Sequence, residues 1–158
     1  MAMQYDVKAK HMSASGVVYG NRTRLKGAII SANTTAVARN VLFMDNAPQT
    51  GTYSITSTTL TVTVANTLVA GDRVFLDFTS GTAVDGAYTV LTANATTFTV
   101  TTAASGTGNV TTYTTVLLEA DAYNPTAYSI LVPGEGILAE TGIYVGLPAN
   151  ITATTFYG

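Results

Sequence analysis

Thr52-Tyr53-Ser54-Ile55-Thr56, Leu60-Thr61-Val62-Thr63-Val64 and Thr97-Phe98-Thr99-Val100-Thr101 alternate hydroxyl and apolar side chains one for one. A period of two places every second residue on the same face of an extended strand, so these stretches predict strands with one buried and one wet face. Threonine favours the pleated conformation and solvates the outer face without adding charge. Working outward, the alternation predicts strands near 52–57, 59–65, 73–78, 87–92, 96–102 and 109–115. Turn signals separate them at Ala70-Gly71-Asp72, Ser80-Gly81 and Asp85-Gly86.

On both sides of this block the texture changes. Gly16–Gly20, Arg24–Ile30 and Asn40–Asp45 are short apolar runs bounded by Asn, Gly or Pro, which suits a meander of strands. Residues 31–40 lack a helix cap and read as loop. After Thr115 the runs Val116–Ala120, Tyr128–Val132, Gly136–Glu140, Gly142–Leu147 and Ile151–Gly158 are again rich in Leu, Ile and Tyr. Turn-rich segments at Asn46–Gly51 and Ala103–Gly108 bracket the middle, as expected where a module interrupts a host domain. The expected class is all-β. It comprises an N-terminal arm (1–16), a discontinuous β-sandwich or jelly-roll-like host domain (17–49 plus 113–158), and an inserted small β-barrel or Ig-like β-module (50–112).

The 158 residues suffice for a core that buries roughly 70% of the unfolded surface. There is no cysteine, which excludes disulfides, thiolate metal sites and cysteine nucleophiles. Charged residues make up 10% against about 25% in average soluble domains, so much of the surface is expected to be covered by neighbours. The net charge of −2 gives no global attraction to nucleic acid. No apolar run approaches the roughly 20 residues that span a bilayer, and the first ten residues carry no signal-peptide core; the expectation is a soluble, cytoplasmically made product. Six of the seven basic residues (Lys8, Lys10, Arg22, Arg24, Lys26 and Arg39) precede residue 40, whereas eight of the nine acids follow Met44. A basic N-terminal part on an acidic body can seat against an acidic partner or a second copy of the chain. Lys8, Lys10, Arg22, Arg24 and Lys26 are therefore the candidate partner contacts; protection of strand edges by the same side chains is the plainer reading.

Catalytic constellations are not legible. The single histidine, His11, lies in the arm with no second ligand near it. Glu135 and Glu140 could form a carboxylate pair, but Pro133-Gly134 turn chemistry explains that segment. Asp72, Asp77 and Asp85 lack the ligand spacing of a dedicated calcium loop, so no metal is expected. Serine and threonine have no base beside them, and no phosphate or dinucleotide fingerprint occurs. Tyr113, Tyr123, Tyr128, Tyr144 and Tyr157 could line a sugar-binding face, though half-buried sheet packing accounts for tyrosines in such strands. The five Asn-x-Ser/Thr sequons, at Asn21, Asn33, Asn94, Asn109 and Asn150, read as products of a threonine-rich composition. No catalytic residue, cofactor or metal ligand is expected.

The opening Tyr5–Gly16, the Arg22–Ile30 strand, Val132–Leu147 and the ending Thr154–Gly158 resemble a family of small decoration-type structural virion proteins of tailed bacteriophages, especially marine and cyanobacterial ones. Val69–Val90 is similar to mobile β-modules inserted in many phage virion proteins. The resemblance implies a non-enzymatic structural protein, made in the host cytoplasm and carried on the virion. As a capsid decoration or cement protein it would bind the major capsid protein or other virion proteins on the outer shell, as a homo-oligomer such as a trimer, with neither nucleic acid nor membrane as partner. The alternative is a tail-associated fibre, spike or adhesion module contacting the host surface.

Overall fold

A computed structural model describes residues 7–32, 39–122 and 127–158, with the Arg39 side chain excluded. The first six residues of the expected arm, the centre of the expected 31–40 loop, and Tyr123 lie outside these. Among the described residues no helix occurs, and the fold is all-β.

Two compact units divide the chain: residues 1–46 with 117–158, and residues 47–116. The first unit contains β1 (Lys8–Met12), β2 (Gly16–Tyr19), β3 (Thr23–Ala32) and β4 (Arg39–Asp45). The second contains β5 (Gln49–Thr56), β6 (Thr59–Thr63), β7 (Arg73–Phe78), β8 (Gly86–Thr89), β9 (Thr92–Ala93), β10 (Thr97–Thr101) and β11 (Gly106–Tyr113). The chain then returns to the first unit through β12 (Val116–Ala122), β13 (Tyr128–Leu131), β14 (Ile137–Ala139), β15 (Ile143–Gly146) and β16 (Ile151–Tyr157).

The first unit is a sandwich of two antiparallel sheets. One runs β1-β16-β3-β13, with β14 also on β3; the other runs β12-β4-β15-β2. Alternation assigns the faces. In β16, Ile151, Ala153, Thr155 and Tyr157 point inward, and they meet Leu25, Ala28 and Ile30 of β3. Val41, Phe43, Ile143 and Val145 close the core from the opposite sheet. Fully burying a side chain of this size contributes about 1.5–3 kcal/mol, so this apolar layer is the main term holding the two sheets together. Gly142 makes the turn into β15 with φ at +123°, and a Cβ there would lie 2.2 Å from the Tyr19 carbonyl oxygen.

The arm expectation is corrected for residues 8–12. They form β1, an edge strand registered from Lys8 opposite Tyr157 to Met12 opposite Ala153. Only Met12 of this strand reaches the core, so the sequence carries almost no hydrophobic period, and backbone pairing to β16 supplies the order.

In the second unit one seven-stranded sheet has the order β8-β7-β11-β5-β6-β10-β9. It curls: beyond β8, Leu91 N–H donates to Thr99 O of β10 at 2.8 Å, and Gly71 N–H donates to Val90 O at 2.8 Å. The unit is thus a single curled sheet and not an Ig-like pair of sheets. The threonine alternation becomes cross-strand rows. Thr52–Thr63–Thr97, Ser54–Thr61–Thr99 and Thr56–Thr59–Thr101 line the outer face. Tyr53–Val62–Phe98 and Ile55–Leu60–Val100 form the corresponding inner rows.

Candidate functional site

The five candidate contact residues do not form one free basic arm. Lys26 is the extra residue of a β-bulge on β3, where Leu25 opposes Tyr157 and Gly27 opposes Phe156. Its side chain is only 7% exposed, and Nζ donates to the Glu135 carbonyl at 2.8 Å. Lys26 therefore lies within the unit, holding the Pro133–Gly136 turn, and not at the surface where a partner contact was expected. Lys10 Nζ donates to Val17 O at 2.8 Å, tying the β1–β2 edge together.

The remaining three converge. Lys8 opposes Tyr157 across β1 and β16, and its Nζ lies 5.9 Å from the centre of the Tyr19 ring. Tyr19 and Tyr157 are stacked with centroids 5.1 Å apart. Arg24 exchanges backbone hydrogen bonds with Gly158, N–H to O and O to N–H, both at 3.2 Å, and its Nη1 donates to Gly136 O at 3.3 Å. Arg22 Nε donates to Glu140 Oε2 at 2.9 Å. Lys8, Tyr19, Arg22, Arg24, Tyr157 and Gly158 line a pocket of about 380 Å³ at this end of the sandwich. Arginine's planar fork suits an oxyanion, and the ammonium of Lys8 adds a mobile charge. Sequence reasoning grouped these cations by position in the chain, but it missed Tyr19 and Gly158. The available signal was the Arg22-Thr23-Arg24 spacing, which puts both arginines on one face of an extended strand.

Of the acidic candidates, Asp72 and Asp85 hold backbone N–H groups. Glu140 is engaged by Arg22, and the Glu135 carbonyl by Lys26. Asp72 Oδ2 accepts from Val69 N–H at 2.9 Å, and Asp85 Oδ1 from Phe78 N–H at 2.7 Å. Burial, and then the charge of Asp85, push the Asp77 carboxyl above its ordinary value. Among the described residues no group of three or more metal-ligating side chains comes together. Of the tyrosines considered for a sugar face, Tyr113, Tyr144 and Tyr157 are buried in the sheets, and Tyr128 donates its hydroxyl to Asp121 O. His11 Nδ1 is 3.0 Å from Thr154 Oγ1.

No family model matches the chain, and no curated protein matches it. Comparison with solved structures finds a likeness to "Phage phi92 endosialidase", with a TM-score of 0.33 and 24% identity over 80% of this chain. The chain spans 20% of the length of that protein.

Proposed function

We propose that the protein is a non-enzymatic structural component of a tailed-phage virion, in which the first unit mounts on a neighbouring virion protein and the curled unit is displayed. The supporting observation joins sequence to fold. The segments that resemble phage virion proteins supply β1, β3, β14, β15 and the end of β16, all strands of the one sandwich. The insert interrupts that sandwich between β4 and β12, which are neighbours in one sheet. An arrangement that leaves a scaffold's strands adjacent while a loop carries a second unit suits attachment through one part and display through the other.

Two mounting places fit this reading: the outer capsid shell, as a decoration protein bound to the major capsid protein, and the tail, as part of a fibre, spike or adhesion module. Quantitative mass spectrometry of purified virions, with antibody to the insert located by cryo-electron microscopy, tests the proposal. Label spread over the shell with many copies per particle assigns the capsid, and label at one vertex with few copies assigns the tail. Absence of the protein from purified particles overturns the reading.

A further inference from the structure

We propose that the pocket at the Gly158 end of the sandwich binds an oxyanion, a phosphate or carboxylate group on a small ligand, through Lys8, Arg22 and Arg24. The chain has seven basic residues in all and a net charge of −2. Three of the seven, from β1, the β2–β3 turn and β3, nevertheless line a single pocket. Cations confined together repel one another, and an anion between them removes that cost.

The compensation supplied by side chains is small. Glu140 pairs with Arg22, but the two side chains are 62% and 66% exposed, so the pair is open to water and exchangeable. Lys8 Nζ faces the Tyr19 ring and makes no ion pair among the described residues. Arg24 donates Nη1 to Gly136 O and lines the pocket, where the planar fork of a guanidinium can offer an oxyanion a two-point contact. The Tyr19–Tyr157 stack forms one aromatic side of the pocket. The volume, about 380 Å³, lies in the range of small-ligand pockets.

The test is titration of the whole chain, followed by amide NMR, with inorganic phosphate and with glucuronate as separate probes and sodium chloride at matched ionic strength as control. Saturable shifts at Tyr19, Arg24 and Gly158 are expected with at least one probe. Saturation by phosphate alone assigns a phosphate group, and saturation by glucuronate alone a carboxylate; both readings support the site. Lys8→Gln, an exposed change that leaves the core untouched, should weaken binding at least fivefold, and Lys8→Gln with Arg24→Gln should abolish it. Lys10→Gln, whose side chain is bonded to Val17 O outside the pocket, should leave it unchanged. A second form of the protein, extended by two residues, removes any α-carboxylate from Gly158 as a competitor, and saturation in either form supports the site. Shifts that stay linear and equal those of chloride in both forms overturn the proposal. So does a Lys10→Gln loss as large as that of Lys8→Gln, because diffuse surface charge would then explain the effect.

Discussion

Asp45 Oδ1 accepts both the backbone N–H of Thr141, at 2.9 Å, and its hydroxyl, at 2.6 Å, across 96 residues of sequence. The other oxygen, Oδ2, takes the Glu140 N–H at 3.1 Å. One carboxylate at the end of β4 thus accepts from three donors of Glu140 and Thr141 in the β14–β15 turn, next to the tight passage at Gly142. Asp45 is 8% exposed, so water cannot replace it at low cost. Asp45→Ala should destabilise the first unit by about 3 kcal/mol, because buried donors lose a charged acceptor. Asp45→Asn, which keeps one acceptor oxygen, should cost about half as much. Urea unfolding reads both, and an Asp45→Ala protein as stable as the parent would show that the turn is held by packing alone.

Thr155 faces the sandwich core with no exposure, and its Oγ1 has no hydrogen-bond partner among the described residues. Valine has nearly the same shape without the hydroxyl. Thr155→Val should therefore stabilise the fold by about 1 kcal/mol, by removing a buried unsatisfied group. Thermal unfolding measures the change. A lowered midpoint would mean that a buried water serves this hydroxyl.

Asp77 gives the curled unit a pH dependence of definite sign. Burial and Asp85 raise its carboxyl above the unfolded value, so the folded state keeps the proton to higher pH. This group's contribution is fully present below the unfolded value and is lost as pH rises through the raised folded value. Asp77→Asn should remove that decline. Unfolding of parent and variant across the acid range, compared as a difference, reads it; a difference that grew with pH in favour of the parent would reverse the assignment.

Replacement of residues 50–112 by a short Gly/Ser linker should leave the sandwich folded. The strands on either side of the gap, β4 and β12, are neighbours in one sheet, and loop length costs only about 0.6 kcal/mol per doubling. Circular dichroism and a virion-assembly assay would follow the shortened protein. An unfolded remnant would mean that the first unit requires the insert.

The strands of the middle segment were legible because their buried rows are strictly periodic. Observed β5, β6, β7, β8, β10 and β11 fall on the six expected runs, with ends displaced by a few residues. Phe98, Leu60 and Val62 were readable as core for the same reason, since each lies between threonines that must face water. In the first unit the apolar runs mark β3, β4, β15 and β16, whereas Lys8–Met12 reads as arm because a polar edge strand has no hydrophobic signature.

By itself the sequence determined the all-β class, the absence of cysteine chemistry, and which side chains alternate across each strand; these follow from composition and from the local geometry of an extended backbone. Tertiary structure alone decided the rest. It put Lys26 inside a bulge, gave Asp45 its place on the turn at Thr141, and drew Lys8, Arg22 and Arg24 around Gly158. Such juxtapositions depend on which strand pairs with which and in what register, over separations of about a hundred residues or more, and the two-residue period within a strand carries no record of that choice.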